Sequence, residues 1–416
     1  MLRCRCLLIV AIVFAALGRP ALAAPLTLQE AIGRALQYAP SVEAADAASE
    51  LDSARVAEAR APLFPSLFGV GEYNQAPGYD QTITNGGLTL GELALNYTAY
   101  DGGRRTDQVR AARYAAQAAA YGIDAARAQI VYDTTVAYFE LMRARETVNE
   151  LSSNLARLGR YLNVIESLER SGRAIASDVL KLRATRDASD LSFAAAGQAA
   201  QQASIALGSL IGEPENADLQ ITEVSAISPL PSGDLSRNPQ LVAATRQIDS
   251  ARMAVMAAEA ERAPNLKIAL TAGWEGINPP KTFGHHLGAS YDGAISVPLF
   301  QGGLVRSHID QAKASEQAAI AQRRLSELTL TRDLAAARSR YDSSLQQLAI
   351  VTRSRQTADD SFALAWTRFL GGGNVTLLEV IDAYEQAENL RVERFAQEFN
   401  ARQSAAQAKL ILGIVQ

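Results

Sequence analysis

The strongest constraint on this chain is an internal repeat. Ala39-Pro40-Ser41 returns as Asn238-Pro239-Gln240, Ala61-Pro62-Leu63-Phe64-Pro65 as Arg262-Ala263-Pro264-Asn265, and Tyr100-Asp101-Gly102-Gly103 as Phe300-Gln301-Gly302-Gly303. Arg170-Ser171-Gly172 followed by Ser177-Asp178-Val179-Leu180 returns as Gly373 followed by Thr376 and Glu379-Val380-Ile381. All these spacings are about 200 residues, too long for a solenoid unit and right for a duplicated half-chain. Whatever fold forms must therefore form twice, from elements in the same order.

Each half opens with an Ala- and Glu-rich stretch that predicts a helix, over 28–60 and 240–262. Thr27 stands three residues before Glu30, the capping-box spacing, and Pro62, Pro65 and Pro264 end the helices. Strand-like segments follow at 66–74 and 88–100, and again at 266–274 and 289–300. Leu88, Leu90, Glu92, Ala94 and Asn96 alternate with Thr89, Gly91, Leu93, Leu95 and Tyr97, and Ile268, Leu270 and Ala272 alternate with Lys267, Ala269 and Thr271. Period-two strands of about ten residues fit a transmembrane barrel; taken alone they fit a pair of soluble hairpins better, and it is the flanking context that reverses this preference. Gly-, Pro- and Asn-rich links at 76–87 and 276–288 are short enough for hairpin loops.

After each Gly-Gly pair the chain is helical for a long way. Residues 304–368 contain no Pro and no Gly, about 65 residues or roughly 100 Å of helix. Residues 104–170 are interrupted only by Gly122 and Gly159. Such lengths require coiled-coil packing, and a seam is readable. Val148, Leu151, Leu155, Leu158, Leu162 and Ile165 step by threes and fours, as do Leu334, Ala337, Tyr341, Leu348 and Val351 more loosely. Each long helix runs to a glycine tip, Gly172 or Gly371-Gly372-Gly373, and returns over 177–210 or 376–412. The result is two antiparallel helical hairpins. Residues 213–237, rich in Pro, Ser and Asp, form a crossing segment with little regular structure.

The N-terminus reads as an export signal over 1–23. Arg3 and Arg5 precede an apolar run that ends at Leu17, and Ala21-Leu22-Ala23 offers a small-x-small cleavage site. The run is too short to span a bilayer. Both cysteines, Cys4 and Cys6, fall in this segment, so the mature chain is expected to carry no disulfide, no thiolate and no N-terminal lipid anchor. Against 44 acids the chain has 40 Lys and Arg, and losing Arg3, Arg5 and Arg19 makes it more acidic still. That balance argues against nucleic acid as a partner. No later apolar run reaches about 18 residues, so a membrane-embedded part must be a closed β-barrel.

Paired strands mounted on duplicated hairpins resemble the TolC-like outer-membrane efflux protein family. The resemblance covers essentially all of the mature chain. It rests on Leu26-Thr27-Leu28-Gln29-Glu30-Ala31-Ile32 with Pro40 after it, on the Gly-Gly pairs at 102–103 and 302–303, and on Gly373, Thr376 and Leu378-Glu379-Val380-Ile381-Asp382-Ala383. It implies a mainly α fold with a β-barrel part: a homotrimer whose four strands per subunit close a twelve-stranded outer-membrane barrel, continued by an α-helical periplasmic tunnel. The expected organisation is a first repeat over 24–212, an equatorial segment over 213–237 and a second repeat over 238–416. Implied partners are an inner-membrane transporter, a periplasmic adaptor of the membrane-fusion type and outer-membrane lipid. The implied function is passive efflux or secretion, with small molecules the preferred cargo and metal ions or secreted proteins the alternatives. The resemblance places Glu379 and Asp382 at the periplasmic constriction, Ser177 and Asp178 at positions linking the closed tips, and Gly172 and Gly373 at the tips that dock the adaptor. Two departures stand out. Val375 replaces an Arg that ties neighbouring tips in some members, and Leu370 replaces an aromatic, with Arg173 and Arg368 the nearby cations.

Plainer readings compete at several positions. Glu379, Asp382 and Asp178 suit any solvated helix start, and Ser177 reads as a natural N-cap. His285-His286 reads as surface loop rather than metal site, and His308 stands alone. Gly371-Gly372-Gly373 is no phosphate loop, since no strand precedes it. No catalytic constellation is found, so the expectation is a protein that is no enzyme and needs no cofactor. A periplasmic adaptor would carry one hairpin between β-rich halves, and an ordinary porin would show many strands and little helix.

Overall fold

The computed structural model describes residues 25–75, 87–216, 218–224, 226–277 and 286–414. The expected export signal with Cys4 and Cys6, and His285 with most of both strand links, lie outside the described residues. The elements run α1 (Leu28–Tyr38), α2 (Pro40–Arg60), β1 (Ser66–Gln75), β2 (Gly87–Tyr100), α3 (Arg104–Arg170) and α4 (Ala176–Leu210). The second set runs α5 (Pro239–Glu259), β3 (Asn265–Ile277), β4 (His286–Ser296), α6 (Leu304–Leu370) and α7 (Leu377–Ile411). The duplication extends to length. The α2 and α5 helices have 21 residues each, α3 and α6 have 67, and α4 and α7 have 35. A 67-residue helix is roughly 100 Å long.

The capping box forms as expected: Thr27 Oγ1 accepts from the Glu30 N–H at 3.2 Å, and the Glu30 carboxylate accepts from the Thr27 N–H at 2.9 Å. The single helix expected over 28–60 does not form. Ala39 breaks it at φ −75°, ψ 107°, because the ring of Pro40 disfavours α geometry in the residue before it. Pro40 then starts α2, as Pro239 starts α5 behind the N-cap Asn238.

The strands form one antiparallel sheet in the order β1-β2-β3-β4. Directly paired residues share a face, so the register sorts the side chains. One face carries Leu67, Leu95, Leu270 and Tyr291 in one row and Gly69, Leu93, Ala272 and Ala289 in the next. The other carries Ser66, Asn96, Ala269 and Asp292, and further along Glu72, Glu92 and Glu275. Every acid of the four strands lies on this second face. Trp274 pairs with Gly91 on the apolar face, and its ring lies where a Cβ at Gly91 would sit, 2.6 Å away.

Gly-Gly pairs turn the strands into the long helices: Gly102 and Gly103 have φ of 69° and 89°, and Gly302 and Gly303 have 58° and 89°. At the first junction Arg105 is buried. Its guanidinium donates to Asp101 at 2.8 Å and to the carbonyls of Pro62 and Thr98. Both strands of the second hairpin reach further into the link than expected, β3 to Ile277 and β4 from His286, so His286 pairs with Glu275 in the sheet and is not the loop residue expected. The last strand was expected to run to Phe300 and ends at Ser296, because β3 begins at Asn265 and offers nothing beyond the Asn265–Ser296 pair.

Several cores hold the helices, and two of them are the larger. Midway along, Tyr138, Leu141, Leu207 and Ile211 are fully buried with Leu26 and Leu219. The Tyr138 hydroxyl donates to the carbonyls of Leu26 and Thr222, at 2.9 and 2.6 Å, and so ties the crossing segment to α3. The second core lies at the tips.

Candidate functional site: the helical tips

Each long helix ends in a glycine-terminated reversal. In the first hairpin Gly172, at φ 74°, is left-handed, and the Arg173 N–H reaches back to the Leu168 carbonyl at 2.8 Å. In the second, the left-handed residue is Gly372, at φ 77°, and the Gly373 N–H reaches the Arg368 carbonyl at 2.9 Å. Both are Schellman closures, which favour glycine at the left-handed position. Gly373 therefore sits at the tip as expected, but the reversal itself is made one residue earlier.

The returning helices start alike. Thr376 caps α7: its Oγ1 accepts from the Glu379 N–H at 3.3 Å, and the Glu379 carboxylate accepts from the Thr376 N–H at 2.8 Å. In the first hairpin the N-cap is Ile175, not Ser177. The α4 helix starts at Ala176, so Ser177 falls inside the first turn, and the Asp178 carboxylate accepts from the Ile175 N–H at 3.2 Å. Glu379 and Asp178 are thus matching N3 carboxylates that close their own helices. Glu379, Asp382 and Ser177 are exposed and Asp178 is half-buried. No hydrogen bond joins Glu379 or Asp382 to Ser177 or Asp178 among the described residues.

What joins the hairpins is different. Arg173 donates to the Leu370 carbonyl at 2.7 Å across the two tips. Behind it Leu158, Ile165, Val179 and Leu182 of the first hairpin share a core with Leu377, Val380, Ile381 and Tyr384 of the second. Half-buried aromatic rings pack against it around the buried Tyr384: Tyr161 lies 4.7 Å from Trp366 and 5.7 Å from Tyr384, and Phe362 lies 5.1 Å from Tyr384, centroid to centroid. These geometries are worth about 0.5–1.5 kcal/mol per pair beyond burial. The i, i+4, i+7 spacing of Phe362, Trp366 and Phe369 was the available sequence signal.

One layer further from the tip is an ionic network that periodicity does not reveal. Arg157 on α3 bonds Glu150 at 2.6 Å and Glu388 on α7 at 2.7 Å, while Arg391 joins Glu388 to Asp359 on α6. The Tyr384 hydroxyl bonds the buried Asn154 beside them. Burial opposes the charge on Arg157, but bonds to Glu150 and Tyr384 and the charge of Glu388 outweigh it and raise its pKa. For Glu388 burial prevails over both arginines and pushes the carboxyl above the usual range. Burial also raises the Tyr384 phenol, and the Glu388 charge adds to it.

Among the described residues no group of three His, Cys, Asp or Glu is placed to hold a metal ion, and His308 pairs with Glu261 at 2.8 Å. None of the described helices is long and apolar enough to cross a membrane.

The family model described as "Outer membrane efflux protein" matches residues 31–213 and 230–413. The pyoverdine export outer membrane protein OpmQ of Pseudomonas aeruginosa is 26% identical over 395 residues, covering 88% of this chain and 82% of its own. The outer membrane protein TolC of Escherichia coli is 24% identical over 391 residues, covering 88% and 78%. In fold the chain is similar to the outer membrane protein VceC of Vibrio cholerae, with a TM-score of 0.82 at 21% identity over 93% of this chain and 96% of that one. With strands that sort into an apolar and a polar face and hairpins that run about 100 Å from them, the chain belongs to the outer membrane efflux protein family, the exit channels whose barrel part sits in the outer membrane and whose helices lie in the periplasm.

Proposed function

We propose that this chain is one subunit of a homotrimeric, passive exit duct for small molecules, loaded by an inner-membrane transporter through a periplasmic adaptor of the membrane-fusion type. The observation that carries the reading is the four-stranded sheet, whose outer edges on β1 and β4 have no partner within the described chain. Open edges are intolerable in lipid, and cyclic symmetry removes them. The apolar face then meets lipid and the acidic face lines the pore. Residues 1–23 would be the export signal, followed by repeats over 24–212 and 238–416 joined by 213–237. The duct performs no chemistry of its own and takes no cofactor. Small molecules are preferred over proteins or metal ions, in keeping with the pyoverdine export for which OpmQ is named.

The gate is assigned to the tips. Glu379 and Asp382, exposed at the start of α7, would repeat as rings of carboxylates that favour cations. Asp178 and Ser177 would border them, and the reversals at Gly172 and Gly373 would receive the adaptor. Glu379→Gln with Asp382→Asn removes the charges and keeps the capping geometry, since Gln also serves at N3. In single-channel recordings this variant should lose cation preference relative to wild type. Unchanged reversal potentials in asymmetric salt would take both residues out of the gate. Loss of drug tolerance in a strain lacking the gene, restored by wild type, tests the cargo class.

A further inference from the structure

The duplication applies to the sheet pairings as well as to the elements. Ser66 pairs with Asn96, and their counterparts Asn265 and Ser296 pair with each other. Hairpin β3-β4 therefore repeats hairpin β1-β2 residue for residue at its base. The junction between the hairpins, β2 against β3, has no second instance among the described residues. Its counterpart can only be β4 against β1 of a second copy.

We infer that β4 of one subunit pairs with β1 of its neighbour in the register that β2 adopts with β3, which rests on the trimeric reading above and specifies its interface. Leu95 pairs with Leu270, Leu93 with Ala272 and Glu92 with Gly273. Carried to the counterpart residues, Ile295 faces Gly71 of the neighbour, Gly293 faces its Tyr73, Ala294 its Glu72 and Asp292 its Asn74. The transferred register passes a test it was not built to pass. Ile295, Gly293, Gly71 and Tyr73 belong to the apolar face of the sheet, and Ala294, Asp292, Glu72 and Asn74 to the acidic one. A shift by one residue would set lipid-facing side chains against lumen-facing ones.

The same register explains where β4 stops. In the first half β2 continues past its last partner on β1: Tyr97, Thr98 and Tyr100 pair only with Ile268, Lys267 and Leu266 of β3. The counterpart segment, 297–300, lacks that second neighbour and has no strand pairing in the single chain. Val297, Leu299 and Phe300 are left 47%, 92% and 89% exposed. In the transferred register this segment lies along the first residues of the neighbour's β1 and completes the strand to Phe300. The β2–β3 ladder shifts between Thr98 and Tyr100, and the counterpart of Thr98 is Pro298, a residue tolerated at such irregularities because it has no N–H to donate.

Directly opposed residues have Cα atoms about 4.5–5.5 Å apart, inside the roughly 4.4–6.8 Å that a disulfide spans. Residues displaced by two lie about 7–8 Å away, beyond its reach. The only cysteines of the sequence are Cys4 and Cys6, inside the proposed export signal, so no other thiols compete. Outer membranes carrying Ala294→Cys with Glu72→Cys are oxidised with copper-phenanthroline, and Gly293→Cys with Tyr73→Cys tests the adjacent row. Each row is compared with pairs displaced by two, Ala294→Cys with Val70→Cys and Ala294→Cys with Asn74→Cys. The matched pairs should give covalent dimers and trimers as the main species, and the displaced pairs traces only. Trimers that link preferentially through a displaced pair, or through none, overturn the register and leave the duct reading standing. Particles of monomer size before oxidation, for wild type as well as variants, overturn both.

Discussion

Replacing Arg157 by Met is the most informative single perturbation of the tip bundle. Arg157 bonds Glu150 on its own helix and Glu388 on α7, and the two side chains of the latter pair keep 21% and 10% of their exposure. Breaking a buried pair by removing one partner costs about 3–5 kcal/mol, chiefly because the other charge is left uncompensated. Arg391 still contacts Glu388, so the lower end applies, about 3 kcal/mol. Glu388→Leu should cost a similar amount by leaving Arg157 with Glu150 as its one acidic partner and Arg391 with Asp359 and the more distant Glu150. The double variant leaves neither orphan, and apolar replacement of a buried pair is often close to neutral. It should lose no more than about 1–2 kcal/mol, which sets a coupling energy of several kcal/mol between sites in direct contact. The assay is a urea titration of detergent-solubilised protein followed by far-UV circular dichroism, with midpoints compared at a common slope. Losses that add in the double variant would mean that the network does not join the hairpins energetically, and would refute the reasoning.

The raised pKa of Glu388 has a definite sign. A carboxyl whose folded pKa lies above its unfolded value binds an extra proton when folded, so its contribution to stability is greatest below about 4.5 and is lost as pH rises through the folded value; Glu388→Gln should flatten that part of the profile, and an identical profile would exclude the group. Asp101 behaves oppositely. Burial would raise it, but the side-chain and backbone hydrogen bonds from Arg105 and the guanidinium charge outweigh burial and hold it low, so its contribution is present above about 3.8 and is lost as pH falls through the folded value. Asp101→Asn should remove that acid-side dependence from the heat dissociation of the oligomer. Arg105→Ala strands the carboxylate of Asp101 and the carbonyls of Pro62 and Thr98 at the base of the barrel, at a cost of about 3–5 kcal/mol; heat-modifiable gel mobility should show the barrel dissociating at lower temperature, and an unchanged midpoint would show that these bonds are dispensable. Trp366→Ala removes a half-buried ring that packs on Tyr161 and Phe362, at about half the cost of a fully buried ring, or about 2 kcal/mol, and protease cleavage near 370–376 should become faster while the barrel keeps its heat stability.

Local chemistry made much of this protein legible from its sequence. The absence of Pro and Gly over 304–368, the Gly-Gly pairs and the Thr27–Glu30 spacing act over a few residues, and they specified the long helices, their starting points and the first cap. The duplicated strands with alternating faces followed from period two. The family followed from the order of these parts. Misreadings arose where neighbouring residues compete for one role. Pro40 could continue a helix or begin one, and its clash with Ala39 decided. Either Gly372 or Gly373 could supply the left-handed turn, and hydrogen bonds back to Phe369 and Arg368 selected the former. Ser177 is the better capping residue by type, yet Asp178 reaches Ile175 and moves the cap two residues earlier. Only tertiary structure could bring Glu150, Arg157, Asp359, Glu388 and Arg391 together, because three helices from both hairpins contribute to that network and Arg157 and Glu388, which join the hairpins, are 231 residues apart in sequence. The end of β4 depends on still more than the chain itself. A strand persists only while its N–H and C=O groups have partners, and those of 297–300 lie on another subunit in the pairing inferred for the trimer.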